Sequence, residues 1–141
     1  MKKIVILGIL LILFSFTLVS QEKKIVVLID RQVIQVYQDG KLLDEFDCVT
    51  GKNGSTKKGI FKIEYRGNAN YMSKTYNVLM PYPLFFDDGR AIHGTSMATI
   101  RSYSKWLGLD GIGTHGCVGV TDSTAEWLFN WAPNGTPIII K

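Results

Sequence analysis

The chain holds two cysteines, Cys48 and Cys117, and two histidines, His93 and His115. Cys117 stands directly behind Gly116 and two residues after His115, in Thr114-His115-Gly116-Cys117, near the end of a glycine-rich run that starts at Gly108. A thiol is a useful nucleophile only as thiolate, so it needs a neighbouring base or a positive field. His115 is one candidate base, because residues i and i+2 of an extended segment point the same way. His93 is the other, at the end of a strand-like segment and followed by Gly94, where it would deliver its imidazole from across the site. The glycines at 108, 111, 113 and 116 bear on the other half of such a reaction. Attack on an amide carbonyl makes an oxyanion, and a backbone amide aimed at it is worth about 2.7–4 kcal/mol. A glycine beside the nucleophile also lets substrate and backbone approach closely.

Plainer readings compete with this one. In an exported protein, two cysteines suggest a Cys48–Cys117 disulfide. The setting of Cys48, Phe46-Asp47-Cys48-Val49, suits a small buried hydrophobe, whereas that of Cys117 suits exposure, which weighs against the bridge. His93, His115 and Cys117 could be metal ligands, but they lack the spacing and the carboxylate or histidine second layer that zinc sites show. No metal and no cofactor are expected. One histidine is expected to be structural, and the glycine run standing alone could be no more than a flexible loop. Papain-like peptidases carry the cysteine ahead of the histidine, and here both histidines come first.

The elements that would hold these residues read as short strands broken by turn signals. Lys24 to Ile29 is followed by Gln32 to Gln38, and Asp39-Gly40 supplies the positive φ of a tight hairpin turn, giving a hairpin over 33–49. Phe61 to Tyr65 alternates, with Phe61, Ile63 and Tyr65 on one face, the period of a half-buried strand. Arg66 to Thr75 has no periodicity and is expected to be a loop over a groove. Met80-Pro81-Tyr82-Pro83 breaks the chain before a second hairpin, in which Leu84 to Phe86 and Arg90 to His93 flank Asp87-Asp88-Gly89. A helix is expected over Ser96 to Leu107. Another is expected to start at a capping box, Ser123-Thr124-Ala125-Glu126, with Trp127, Leu128 and Trp131 on one face and a stop at Pro133-Asn134-Gly135. Thr136 to Ile140 is a last apolar strand, with Pro137 at its start, where a missing donor is tolerated. The fold class is therefore mainly β, with seven to nine short strands around one core.

The 141 residues, 46% hydrophobic and 20% charged, suit a single globular domain. Lys2 and Lys3 precede an apolar run from Ile4 to Phe14 and a softer stretch to Ser20, the layout of a secretory signal over residues 1–20. An uncleaved anchor is the alternative, although the run is shorter than the ~20 residues of a spanning helix. The working part is expected outside the cytoplasm, in the periplasm or cell envelope, with cell-wall or membrane association. Losing the two leader lysines from the 16 basic residues leaves 14 against 12 acidic ones, too even a balance for a nucleic-acid partner. Lys52, Lys57 and Lys58 cluster on one loop, a solvated face with at most a bias toward an anionic polymer.

Ile92-His93-Gly94 followed by Thr114-His115-Gly116-Cys117-Val118 resembles the signature of the L,D-transpeptidase catalytic domain, the YkuD-like fold. Thr56-Lys57-Lys58-Gly59-Ile60-Phe61 is similar to that family's upstream Thr-Pro-x-Gly-x-Phe segment. Met80-Pro81-Tyr82 with Phe85-Phe86 is similar to the stretch leading to its first histidine. The resemblance implies a β-sandwich or barrel with one or two short helices over residues 24–141, a monomer acting on peptidoglycan stem peptides. The cysteine would attack the carbonyl at the third stem residue, release D-alanine and pass the acyl group to an amine of a second stem. Carried over, Cys117 is the nucleophile and His93 the base. Gly94 orients that imidazole through its carbonyl, and the amides of His115, Gly116 and Cys117 form the oxyanion hole. The family usually has Arg or Asn where this chain has Gly119, and the stretch from His93 to Thr114 is longer than usual, which implies an enlarged loop. An L,D-carboxypeptidase, with water as acceptor, and an inactive cell-wall-binding domain are the alternatives.

Overall fold

The structure, a computed structural model, describes residues 20–96 and 113–141. The expected signal over 1–20, apart from Ser20, and the expected helix over Ser96 to Leu107, apart from Ser96, lie outside the described residues, as does most of the loop between His93 and Thr114. No helix among the described residues is long and apolar enough to cross a membrane.

The chain opens with β1 (Lys23–Leu28), β2 (Val33–Gln38) and β3 (Lys41–Asp47). Asp39 and Gly40 have φ of 52° and 77°, the pair of left-handed residues that a two-residue hairpin turn requires, and they join β2 to β3 in antiparallel register. After β4 (Gly59–Lys62) come β5 (Tyr65–Arg66), β6 (Met72–Ser73) and β7 (Val78–Leu79). The second hairpin follows, β8 (Leu84–Asp87) and β9 (Arg90–Gly94), turning at Asp88 and Gly89 with φ of 39° and 79°. Then come β10 (Val118–Val120), a helix α1 (Asp122–Trp131) and β11 (Pro137–Ile140).

Two sheets form the body of the fold. One has the order β3-β2-β1-β11-β4 and the other β10-β9-β8-β5, with β6-β7 as a separate ribbon. The apolar strand expected at the C-terminus is β11, which lies inside the sheet, parallel to β1 and antiparallel to β4. Ile25, Val27, Ile34, Ile138 and Ile140 of the first sheet share a core with Leu84, Phe86, Ile92, Val118 and Val120 of the second, and Leu128 of α1 joins them. Burying one such side chain is worth about 1.5–3 kcal/mol, so this shared core holds the two sheets together. Phe61 meets Phe86 edge-on, with centroids 5.4 Å apart, across the gap between the sheets.

Three expectations are corrected. The Phe61 to Tyr65 run is two strands in different sheets, because the chain crosses over between them. Ile63 N–H bonds Thr136 O on the first sheet's side, and Glu64 N–H bonds Phe85 O on the other. That split, with the β6–β7 ribbon inside and just after the expected Arg66–Thr75 loop, gives eleven strands among the described residues rather than seven to nine. The helix begins earlier than the Ser123 box: its cap is Thr121, whose side chain accepts from Thr124 N–H, and Asp122 fills the first turn, where the helix dipole favours a carboxylate. Its buried residues are Ala125 and Leu128. Trp127 and Trp131, one turn apart, stack on each other at 5.4 Å, with Trp131 packed against the edge of that core and Trp127 meeting Phe46 of β3.

Candidate active site

β9 and β10 run parallel, pairing Ile92 with Val118, His93 with Gly119 and Gly94 with Val120. This register sets Cys117, just ahead of β10, on the strand beside β9 and two residues back from the level of His93, although the two are 24 positions apart in sequence. Both line one cleft of about 600 Å³, with Gly94, Thr95, Thr114 and His115. Its far wall is the β6–β7 ribbon with Tyr76, Val78 and Leu79. The groove expected beneath the 66–75 segment is therefore walled by the ribbon just beyond it.

His93 is 6% exposed. Its Nδ1 lies 2.8 Å from the Gly94 carbonyl oxygen. A carbonyl can only accept, so Nδ1 carries the proton and Nε2 keeps its lone pair. Burial pushes the imidazole below its ordinary value of 6.5, partly opposed by the Gly94 contact and by the charge of Asp122. Cys117 is half-buried against a small cluster of Met80, Phe85 and Ala91. Burial raises its thiol above the ordinary 9.0, while a hydrogen bond from the Ala91 backbone and the charge of Arg90 pull the other way. The cleft thus holds a neutral thiol and a neutral imidazole whose free Nε2 is able to accept a proton.

The turn that carries Cys117 is clamped from both sides. The segment 49–56 lies along it: Val49 and Gly119 exchange two backbone bonds of 2.8 Å, Thr114 N–H donates to Thr50 O, and Lys52 N–H donates to Thr114 O. Thr56, 3% exposed, donates its hydroxyl to Gly116 O at 3.0 Å and accepts from Gly51 N–H at 2.7 Å. Thr114 Oγ1 accepts from Gly116 N–H at 3.2 Å and donates to Cys117 O. Gly116 has φ of 128°, a region that L side chains rarely adopt. A Cβ there would lie 3.0 Å from Arg90 Nε and 3.1 Å from Ser55 O.

His115 is exposed and does not stand over Cys117 from within the core; its ring stacks on Tyr76 of the ribbon, 4.6 Å between centroids and 10° between planes. Gly94 is closed in by α1, since a Cβ on it would meet Asp122 Oδ1 at 2.4 Å. Gly119 is equally confined: a Cβ would meet Thr95 Cγ2 at 2.4 Å and Val49 Cγ1 at 2.8 Å. The side chain usual at that position in the family thus finds its room here taken by Thr95 and Val49. Cys48 is buried, as expected, and is not disulfide-bonded to Cys117. Among the described residues, no group of three or more His, Cys, Asp or Glu could hold a metal ion.

Sequence reasoning quoted the Thr56 segment but missed that Thr56 itself fastens the turn, and it passed over Asp122 and Arg90. Thr56 had a usable signal, its place at the head of a recurring segment. Asp122 and Arg90 come to the site only through the pairing of distant strands and the docking of α1.

Residues 22–140 match the family model of the L,D-transpeptidase catalytic domain, YkuD. Among solved structures, an L,D-transpeptidase from Stackebrandtia nassauensis is similar at 26% identity and a TM-score of 0.72, over 85% of this chain and 55% of that one. Two more share the fold: one from Xylanimonas cellulosilytica (24% identity, TM-score 0.68, 86% and 61% covered) and a cysteine-to-serine mutant of the Enterococcus faecium L,D-transpeptidase (24%, 0.69, 85% and 50%). The chain therefore spans about half to three-fifths of the length of these structures. A search of curated proteins gave no match. With the family model covering residues 22–140 of 141, this chain belongs to the L,D-transpeptidase catalytic domain family.

Proposed function

We propose that the protein is a cysteine L,D-transpeptidase acting on the tetrapeptide stems of peptidoglycan, exported to the periplasm or cell envelope. The observation that carries the reading is the meeting of His93 and Cys117 in one cleft, with His93 Nδ1 held on the Gly94 carbonyl. Cys117 Sγ attacks the carbonyl at the third stem residue while His93 Nε2 takes the thiol proton. The oxyanion faces the amides of His115, Gly116 and Cys117, of which the Gly116 amide is shared with Thr114 Oγ1. Collapse breaks the C–N bond, His93 returns its proton to the departing D-alanine amine, and a thioester remains. An amine of a second stem then attacks the thioester and gives its proton to His93. The C–S bond breaks, and that proton passes back to Cys117.

The apolar wall of Val78 and Leu79 and the ring of Tyr76 give an acyl-donor stem a surface to lie on. Incubating purified protein with tetrapeptide muropeptides and reading the products by mass spectrometry tests the reading. Cross-linked dimer with loss of D-alanine, absent from the C117A variant, is the expected result. Tripeptide monomer alone would make it an L,D-carboxypeptidase. No product from a protein whose Cys117 is reduced would sink the enzyme reading and leave a wall-binding domain.

A further inference from the structure

Arg90 opens β9 three residues before His93, and no part of the proposed reaction uses it. Its guanidinium lies against the backbone of Gly116, where a Cβ would sit 3.0 Å from Nε and 3.4 Å from Cδ. Asp87 of β8 anchors it, with Nη1 donating to Oδ2 at 3.1 Å. Cys117 in turn takes a hydrogen bond from the backbone of Ala91, the residue after Arg90. Arg90 is not among the residues that line the cleft, so it stands behind the nucleophile turn and not in the path of substrate. Among the described residues, the ionisable groups around the turn are Arg90 and His93 from β9, His115 from the turn itself, Tyr76 from the ribbon, Lys52 from the segment along the turn, Asp122 from α1, and Asp87 beyond Arg90. His93 is neutral at rest, so among the described residues the guanidinium is the cation that lies against Gly116.

We propose that Arg90 is a positioning residue that charges the nucleophile turn: lodged against Gly116 and tied to Asp87, it favours negative charge on Cys117 Sγ and on the adjoining oxyanion. The glycine at 116 then has two reasons, its φ and the close approach of the guanidinium. A buried thiol resists ionisation, and a cation held behind the turn offsets part of that resistance without occupying the substrate's space. Arg suits the place better than Lys, since its planar fork can hold Asp87 with one edge and lie flat on the turn. Because the Arg90 side chain is 37% exposed, solvent screens it, and the effect is modest.

This inference rests on the reading of Cys117 as the nucleophile, and its labelling test needs no peptidoglycan, so the two can fail separately. The folded full-length protein is alkylated with iodoacetamide between pH 7 and 10, and mass spectrometry follows the label at Cys117 apart from the buried Cys48. In R90Q the labelling curve is expected to move to higher pH, with Cys117 slowed roughly threefold at pH 8. R90K, which keeps the charge, should stay within about twofold of the native protein. R90M replaces R90Q should that variant fail to fold, as judged by circular dichroism. An unchanged curve in the folded neutral variant overturns the proposal. So does an R90K curve displaced as far as the neutral one, since packing and not charge would then be at work. C117A abolishing turnover while R90Q labels like the native protein would sink only the role of Arg90 and leave the nucleophile standing.

Discussion

Thr56 Oγ1 donates to the Gly116 carbonyl across 60 positions of sequence, and the same oxygen accepts from Gly51 N–H. One buried hydroxyl thus joins the segment before β4 to the turn that carries Cys117. Valine has the shape of threonine and neither hydrogen-bonding capacity, so T56V leaves a part-buried amide and a buried carbonyl without this partner. The expected loss is roughly 2–4 kcal/mol in urea unfolding, with slower alkylation of Cys117. T56S should retain most of both. A T56V protein as stable as the native one would mean that the clamp contributes nothing.

Gly119 marks where this chain departs from the usual pattern of its family, and packing gives the reason. A Cβ would sit 2.4 Å from Thr95 Cγ2 and 2.8 Å from Val49 Cγ1. G119A should therefore cost about 1–3 kcal/mol. T95S removes the offending methyl and keeps the hydroxyl, so G119A with T95S should recover part of that loss, leaving a coupling of about 0.5 kcal/mol or more in a double-mutant cycle. Additive single effects would show that Thr95 is not what excludes a side chain at 119.

Much of this arrangement was legible in the sequence because it is locally encoded. Asp39-Gly40 and Asp88-Gly89 announce their hairpins through the positive φ they must adopt, and Pro137 with its isoleucines announces a strand. The family motif names His93, Gly94 and Cys117, and these three line one cleft. What stayed hidden depends on partners far along the chain. The crossover at Ile63 and Glu64 is set by bonds to Thr136 and Phe85, which no alternation of Phe61 to Tyr65 reveals. The cap moved from Ser123 to Thr121 because two hydroxyl residues compete within three positions, and the winner is decided by how β10 delivers the chain into α1.

The depressed imidazole and the raised thiol make stability depend on pH at both ends. As pH falls through the ordinary histidine value of 6.5, the unfolded chain takes up a proton that buried His93 refuses, so stability falls until the pH drops below the lowered value in the fold. As pH rises through 9.0, the unfolded chain gives up the Cys117 proton that the fold retains, and stability falls again. Urea unfolding across pH 5–10 should therefore show a plateau between these limits. Subtracting the H93N curve should isolate the acid limb, and subtracting the C117A curve the alkaline one. A C117A variant that loses stability above pH 9 as steeply as the native protein would contradict the raised thiol.

Tyr76 reaches across the cleft from the β6–β7 turn to lie flat on His115, 4.6 Å away. The pair lines the cleft beside His93 and Cys117 without belonging to the proton-transfer pair, so it is expected to shape binding and not proton transfer. An aromatic pair contributes about 0.5–1.5 kcal/mol beyond its buried area, which sets the scale of what its loss can do. In the muropeptide assay, Y76A should raise KM roughly three- to tenfold with little change in kcat, and Y76F should resemble the native enzyme. H115A should give a similar rise, and the double variant little more than either single one, because each removes the same stacked wall. A large fall in kcat for H115A with KM unchanged would instead move His115 into the chemistry and reopen the choice of base between the two histidines.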